Sequence, residues 1–213
     1  MVTEKIYQSN GGSLFTMQVF DTVERCRLLT SAPLYRWRED SSVATKVVAA
    51  AFFALLTALA AQVRFVLPFT PVPFTGQILI VLLGAVVLGR YGVLSQGMYL
   101  GMGASFGWFS GMAGAAALVG VTGGYLIGFV IASFILGELV ERRREWSGWQ
   151  VAFTMSLGVL VIYAAGTLQL ALVLGLDPWE AVVMGAAPFV VVDALKVVMA
   201  TGAASLFLRP RSA

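Results

Sequence analysis

Residues 180–208 form a long apolar segment that carries Asp193 and Lys196 in its interior. If the segment crosses a membrane, each charge costs about 2.5–3.5 kcal/mol at the helix centre. The two residues are three apart, so on a helix they project from the same face. Pro188 should bend this helix and free backbone groups near the pair. We predict that the pair faces a polar cavity and contacts a ligand or partner there. The alternative is that the charges only neutralise each other for packing.

The composition is that of an integral membrane protein. Hydrophobic residues make up 59% of the sequence and charged residues only 12%, whereas soluble domains are about 25% charged. The single cysteine excludes a disulfide framework and a cysteine-rich metal site. The lack of histidine excludes histidine bases, histidine-ligated metals and Ser-His-Asp triads within this sequence. The basic residues are dispersed around apolar segments, so we interpret them as topology signals and predict no nucleic-acid binding.

The apolar residues fall into segments that suit membrane-spanning helices. At 1.5 Å per residue, about 20 residues cross the roughly 30 Å of hydrocarbon. The second segment is short for this and is predicted to be partly re-entrant or flanked by loop at membrane depth. The predicted fold is an all-α integral membrane protein, with six transmembrane helices at about residues 43–67, 77–89, 93–109, 122–140, 149–174 and 180–208.

The distribution of Lys and Arg predicts the orientation. With six spans both termini lie on one side, and all but two of the 14 Lys and Arg residues lie there too. The exceptions are Arg64, on the opposite side, and Lys196, inside a span. Because cytoplasmic segments are enriched in basic residues, both termini are predicted to be cytoplasmic. The chain is accordingly expected to be a multi-pass protein of the cell membrane, in contact with lipid.

Residues 1–42 precede the membrane domain of residues 43–208, and residues 209–213 form a short cytoplasmic tail. Apolar residues recur at helical spacing within the extension, at Phe15, Val19, Val23 and Cys26. This spacing favours a short amphipathic helix on the cytoplasmic membrane surface. A flexible polar extension is the alternative.

Two loops on the outer side are predicted to lie above the charged pair. Residues 67–76 contain three prolines, which cannot continue a helix and favour an extended, stiff loop. Residues 107–124 are rich in glycine. Irregular backbone at membrane depth is tolerated only where it is buried in protein or lines a cavity, so we expect this segment to line one.

The first span carries a stripe of small residues, Ala50, Ala54 and Ala58. Small residues let another helix approach closely in lipid. The stripe is predicted either to dock a partner subunit or to pack against the chain's own helices, and both alternatives stay open.

Three stretches together resemble one family of membrane proteins. They read Leu-Pro-Phe-Thr-Pro-Val-Pro-Phe-Thr-Gly-Gln over residues 67–77, Gly-Val-Thr-Gly-Gly-Tyr-Leu-Ile-Gly over residues 120–128, and Pro-Phe-Val-Val-Val-Asp-Ala-Leu-Lys over residues 188–196. In order, spacing and placement they resemble the BioY family, the biotin-specific substrate-binding (S) components of energy-coupling-factor (ECF) transporters.

The resemblance implies a six-helix bundle that captures biotin from the outer side, with a mobile loop between the first two helices as a lid. Family members dock through small residues of the first helix onto a transmembrane coupling protein, the T component, which two ATPases drive. The chain is expected to be the biotin-binding subunit of an uptake transporter and not an enzyme. It contains no Gly-x-x-x-x-Gly-Lys-Ser/Thr phosphate loop. ATP would therefore be used only by partner subunits, and neither a cofactor nor a metal is expected.

The resemblance also places residues at the ligand. It assigns Asp193 and Lys196 to biotin, to which a carboxylate and an ammonium can form charge-assisted hydrogen bonds. Gln77 and Thr122 are second-rank hydrogen-bonding candidates. Apolar walls around the bicyclic ring are expected from Trp108, Tyr125 and Phe74, with ordinary packing as the alternative for each. Tyr99 and Tyr163 are interpreted as packing residues.

The sequence departs from the family pattern in the glycine-rich segment. Most members carry a Pro where this chain has Val121, and some have a basic residue in the preceding turn. Residues 105–114 contain neither. Lys196 is thus left as the main basic candidate in the pocket.

Two other functions stay open. The chain could be the S component for a different small vitamin, or a ligand-free structural membrane subunit whose charges serve helix assembly. An intramembrane enzyme that uses Asp193 as an acid or base is disfavoured, because no second catalytic carboxylate is expected to be buried with it and no histidine is present.

Overall fold

The computed structural model describes residue 37, residues 40–143 and residues 145–208. The surface helix predicted near residues 15–26 and the tail at residues 209–213 lie outside this range.

Helix α1 (Val43–Gln62) begins at Ser42, whose Oγ accepts a hydrogen bond of 3.2 Å from the Thr45 backbone N–H. This N-cap satisfies one of the donors that a helix start leaves unbonded.

A short ribbon follows α1. Strands β1 (Arg64–Phe65) and β2 (Phe74–Thr75) pair antiparallel, with Arg64 opposite Thr75. Residues 66–73 between them form the proline loop. The first helix ends earlier than the predicted span, which reached residue 67, because the chain turns into extended backbone to pair with β2.

Helix α2 (Gln77–Leu88) has 12 residues, so it is about 18 Å long. Helix α3 (Tyr91–Phe106) follows and packs against α1 and α2. Gly107 ends α3 in the left-handed conformation, with a φ of 72°. The chain is then irregular except for the single turn α4 (Ala116–Val119), which agrees with the irregular backbone that the glycine content predicts.

Helices α5 (Gly123–Arg142) and α6 (Gly148–Leu174) pack closely against each other. A Cβ atom on Gly124 would overlap the backbone carbonyl of Ala165, and a Cβ atom on Gly128 would press on the Cα of Ile162. Glycine at these two positions therefore lets the two backbones meet, which is a common basis of helix association in lipid.

The final apolar segment is interrupted. Helix α7 (Pro178–Gly185) begins at Asp177, whose side chain accepts hydrogen bonds from the Trp179 and Glu180 N–H groups. A 3₁₀ turn (Ala187–Phe189) separates α7 from α8 (Val190–Ala204). Pro188 has no N–H to donate and disfavours helical backbone before it. The single helix predicted over residues 180–208 is therefore two helices, broken where Pro188 predicted a bend.

The helices suit a membrane environment. By length and composition, four helices of the described chain can cross a bilayer, namely Val43–Gln62, Gly123–Arg142, Gly148–Leu174 and the interrupted Pro178–Ala204. Large apolar side chains cover the outside, such as Leu172 and Val191, which are 76% and 80% exposed. Apolar surface of this extent marks contact with lipid. Apart from the two-stranded ribbon and the connecting loops, the described residues are helical, as in a multi-pass membrane protein.

The alanine stripe of α1 lies inside the bundle. Ala50 and Ala54 are 0% exposed and Ala58 is 5% exposed, because α1 packs against α2 and α3. Of the two alternatives for this stripe, its burial favours packing within the bundle over docking to a partner subunit. The alanine methyl groups allow the chain's own helices to approach, and the exposed face of α1 carries Phe52, Leu55 and Leu59 instead.

Candidate functional site

A cavity lies under the proline loop, walled by the ribbon, the starts of α2, α5 and α8, the middle of α6, and the irregular segment after α3. Its empty volume, which includes the solvent at its open mouth, is about 640 Å³. The lining contains five of the seven residues that the sequence assigned to the ligand, Gln77, Thr122, Tyr125, Asp193 and Lys196.

Asp193 is a buried charged group in the cavity wall. It is 2% exposed. Its Oδ2 accepts a hydrogen bond of 2.6 Å from the Tyr163 hydroxyl, and its Oδ1 accepts one of 2.5 Å from the Lys196 ammonium. The pair forms because residues 193 and 196 share a face of α8, and α6 packs against that helix.

Lys196 connects α8 to the ribbon. Its ammonium donates a second hydrogen bond, 2.8 Å long, to the backbone carbonyl of Thr75 in β2. A buried ion pair is tolerated when each partner has further hydrogen bonds. Both partners do here, so the pair is fixed in position before any ligand arrives.

Gln77 and Tyr125 are held by other buried groups. The Gln77 side chain is 4% exposed and donates a hydrogen bond of 2.7 Å to the Tyr99 hydroxyl. The Tyr125 hydroxyl donates a hydrogen bond of 2.8 Å to the Gly185 carbonyl. Its ring lies against Gly166, where a Cβ atom would overlap it. Both side chains thus present fixed surfaces to the cavity.

Thr122 is the N-cap of α5, and its side chain makes no capping hydrogen bond. The start of a helix carries unbonded N–H groups and partial positive charge. The residue therefore brings a hydroxyl group and a helix start to the cavity wall.

Two predicted aromatic residues lie outside the lining. The Trp108 ring packs on Phe106, with centroids 5.6 Å apart. Phe109 lines the cavity instead, since its ring fits over Gly103, where a Cβ atom would overlap it. Phe74 packs on Phe189, with ring centroids 4.5 Å apart, and Phe189 is the partner that lines the cavity.

Sequence reasoning missed Tyr163, which was interpreted as packing. It lines the cavity and bonds to Asp193 across 30 positions of sequence. The one available signal was that a buried tyrosine hydroxyl needs a partner, and Asp193 is the acidic residue inside an apolar segment. Ser110 was missed as well, because nothing in its local sequence distinguishes it from Ser105.

The proline loop is fastened to α7. The Thr70 hydroxyl donates a hydrogen bond of 2.7 Å to the Met184 carbonyl and accepts one of 3.1 Å from the Val72 N–H. Val72 and Pro73 line the cavity, so this fastening covers one side of it.

No group of three or more His, Cys, Asp or Glu in the described ranges is placed to hold a metal ion.

Comparisons with known proteins identify relatives. The model of the BioY family matches residues 31–212. The chain is 37% identical over 160 residues to the biotin transporter BioY of Thermotoga maritima, which covers 73% of this chain and 90% of that protein. It is 34% identical over 167 residues to the biotin transporter BioY of Rhizobium etli, covering 72% and 87% of the two chains.

A solved structure has the same fold. It is the crystal structure of the S-component for biotin from an ECF-type ABC transporter, which matches with a TM-score of 0.71 at 19% identity and covers 76% of this chain and 89% of that one. The resemblance inferred from the three sequence stretches is therefore confirmed, and the chain belongs to the BioY family.

Proposed function

We propose that this chain is the biotin-binding S component of an ECF-type biotin uptake transporter. The observation that carries the proposal is the Asp193–Lys196 pair in the wall of the cavity, on a chain of the BioY family. The relatives are named biotin transporters and the similar structure is a biotin S-component. These are names of transport proteins, which supports a binding subunit over an enzyme.

The cavity has groups that complement biotin. The ureido ring of biotin offers two N–H donors and one carbonyl, and the Asp193 carboxylate and Lys196 ammonium can serve as acceptor and donor. Each charge-assisted bond of this kind is worth about 1.5–3 kcal/mol. Gln77 and Thr122 are further hydrogen-bonding groups in the lining. The apolar thioether ring would pack against Tyr125, whose position is already fixed.

The proposed topology has six spans, with α2 and α3 as the second and third and both termini in the cytoplasm. The distribution of Lys and Arg supports it. In this orientation the proline loop and the cavity mouth face outward, and the proline loop is the lid. The chain would deliver biotin inward by docking on a membrane coupling protein driven by two ATPase subunits. It would need no cofactor of its own.

Uptake of radiolabelled biotin tests the proposal in cells that lack a biotin transporter. Cells that express the chain with an ECF module should accumulate the label, and excess unlabelled biotin should block this while excess thiamine should not. Block by a different vitamin would instead indicate an S component of other specificity. Lack of uptake of any vitamin, despite membrane insertion, would indicate a structural subunit.

Tyr163→Phe should weaken biotin binding by about 10-fold, since a hydrogen bond to a charged group contributes about 1.5–3 kcal/mol. The variant keeps the ring but removes the donor that holds the Asp193 carboxylate. Calorimetry on the purified protein measures the effect. Tyr91→Phe is the matched control, because Tyr91 lies outside the cavity lining. Equal affinity of the two variants would show that the Tyr163 hydroxyl does not orient Asp193 for the ligand.

Thr70→Val should speed biotin dissociation by about 5-fold, the equivalent of one hydrogen bond of about 1 kcal/mol. Valine has nearly the shape of threonine but cannot bond to the Met184 carbonyl, so the proline loop opens more often. Displacement of bound labelled biotin by excess unlabelled biotin gives the rate. Thr201→Val is the control, because the Thr201 hydroxyl has no hydrogen-bond partner among the described residues. An unchanged rate in Thr70→Val would mean that this loop does not retain the ligand.

A further inference from the structure

The charges that line the cavity cancel each other. Asp193 and Lys196 are ion-paired, and the ammonium also bonds to the Thr75 carbonyl. Within the described ranges, no other Asp, Glu, Lys or Arg lines the cavity. A ligand carboxylate would therefore bring an uncompensated negative charge into largely apolar surroundings. That is costly unless a cation lies within reach.

Arg64 does not line this cavity but neighbours residues that do. Its backbone is directly opposite Thr75 in the ribbon, and Thr75 lines the cavity. Directly opposite residues on paired strands project from the same face. The guanidinium reaches across to Gly111, so close that a Cβ atom there would overlap Nη1. Gly111 has a φ of 75°, which also favours glycine at this place.

Two features near this contact point to a ligand. Ser110, beside Gly111, lines the cavity, and its buried hydroxyl has no hydrogen-bond partner among the described residues. Such a group normally has a partner in a complete site. Arg64 is exposed and forms no ion pair with any Asp or Glu that the structure describes. The guanidinium thus lies against the residue next to Ser110, whose hydroxyl has no partner among the described residues.

We infer that Arg64 and Ser110 bind the valerate carboxylate of biotin at the cavity mouth, while the ureido ring lies deeper against Asp193. The inference rests on the proposed function. A guanidinium can bind a carboxylate through two parallel hydrogen bonds, and a serine hydroxyl can donate one more. Residues 107–124 contain no basic residue, so the arginine of the ribbon supplies the charge. Because Arg64 precedes the proline loop, the bound carboxylate would also help to hold that loop closed.

A comparison of biotin with biotinamide, in which a neutral carboxamide replaces the carboxylate, tests the inference on the full-length purified protein. The unmodified protein should bind biotin about 10-fold more tightly than biotinamide, the equivalent of about 1.4 kcal/mol. Arg64→Gln should bind the two ligands within about twofold of each other, by loss of biotin affinity alone. Ser110→Ala should reduce the preference in the same direction by about threefold.

Arg143→Gln, at the far end of α5, is the control and should keep the full preference. Equal weakening of both ligands in Arg64→Gln would overturn the inference, since it would show that Arg64 only supports the loops. An unchanged preference in Arg64→Gln would overturn it as well, by placing the carboxylate elsewhere, for example at the start of α5. Lack of biotin binding by the unmodified, monodisperse protein would instead overturn the proposed function.

Discussion

Asp193→Asn should abolish biotin binding, with a loss of affinity of at least about 100-fold. The carboxylate accepts hydrogen bonds from Tyr163 and Lys196 in a buried place, and it is the proposed acceptor for the ureido ring. Removal of one or two charge-assisted bonds of about 1.5–3 kcal/mol each accounts for a loss of this size. The same change leaves the Lys196 ammonium without its counter-charge. Stability should therefore fall by about 3–5 kcal/mol.

A second substitution separates these two effects. In Asp193→Asn/Lys196→Met no buried charge is left uncompensated, and neutral replacement of a buried pair is often harmless to stability. We expect the double variant to recover most of the thermal stability in detergent but none of the biotin binding. Unfolding monitored by tryptophan fluorescence, beside calorimetry on the same samples, gives both quantities. Recovery of binding together with stability would show that the pair serves packing alone.

Gly124→Leu should prevent the formation of a stable bundle. A Cβ atom on Gly124 would overlap the Ala165 carbonyl in α6, which is backbone and cannot rotate away. Overpacking of a filled core typically costs about 1–3 kcal/mol, and a clash with backbone should lie at or above the upper end of that range. The protein should still insert into the membrane, because leucine is apolar, but it should aggregate in detergent.

Gly101→Leu is the matched control for this prediction. It makes the same change in helix α3, where nothing lies within 4 Å of the added Cβ atom, and the residue is exposed. Size-exclusion chromatography of the two variants should give a monodisperse peak for Gly101→Leu and aggregate for Gly124→Leu. Monodisperse protein from both would show that α5 and α6 can separate without loss of the fold.

The sequence was most informative where a residue type is energetically unfavourable in its surroundings. Charges at positions 193 and 196 of an apolar segment predicted a cavity beside them, and both residues line one, although most of its wall is apolar. Proline in residues 67–76 excluded helix, and the structure has a ribbon and loop there. Pro188 predicted a bend in the last helix, and a 3₁₀ turn lies at that point. In each case the cost is local, so one residue type and its neighbours were enough.

Rotation of a helix about its own axis was harder to predict. Ala50, Ala54 and Ala58 form one face of α1, but the alanine pattern alone does not say which neighbour covers that face. Phe109 and not Trp108 lines the cavity, because Gly103, six residues earlier, leaves room for the Phe109 ring. The bond from Tyr163 to Asp193 depends on how α6 sits against α8. These features depend on contacts between distant segments, which no local pattern records.

Calorimetric titration of biotin into the detergent-purified full-length chain tests the central claim most directly. We expect saturable binding of one biotin per chain by the unmodified protein and no detectable heat of binding in Asp193→Asn/Lys196→Met of equal monodispersity. A folded, monodisperse unmodified protein that binds no biotin would contradict the assignment. So would a double variant that binds biotin as tightly as the unmodified chain, since the cavity around Asp193 would then not be the site.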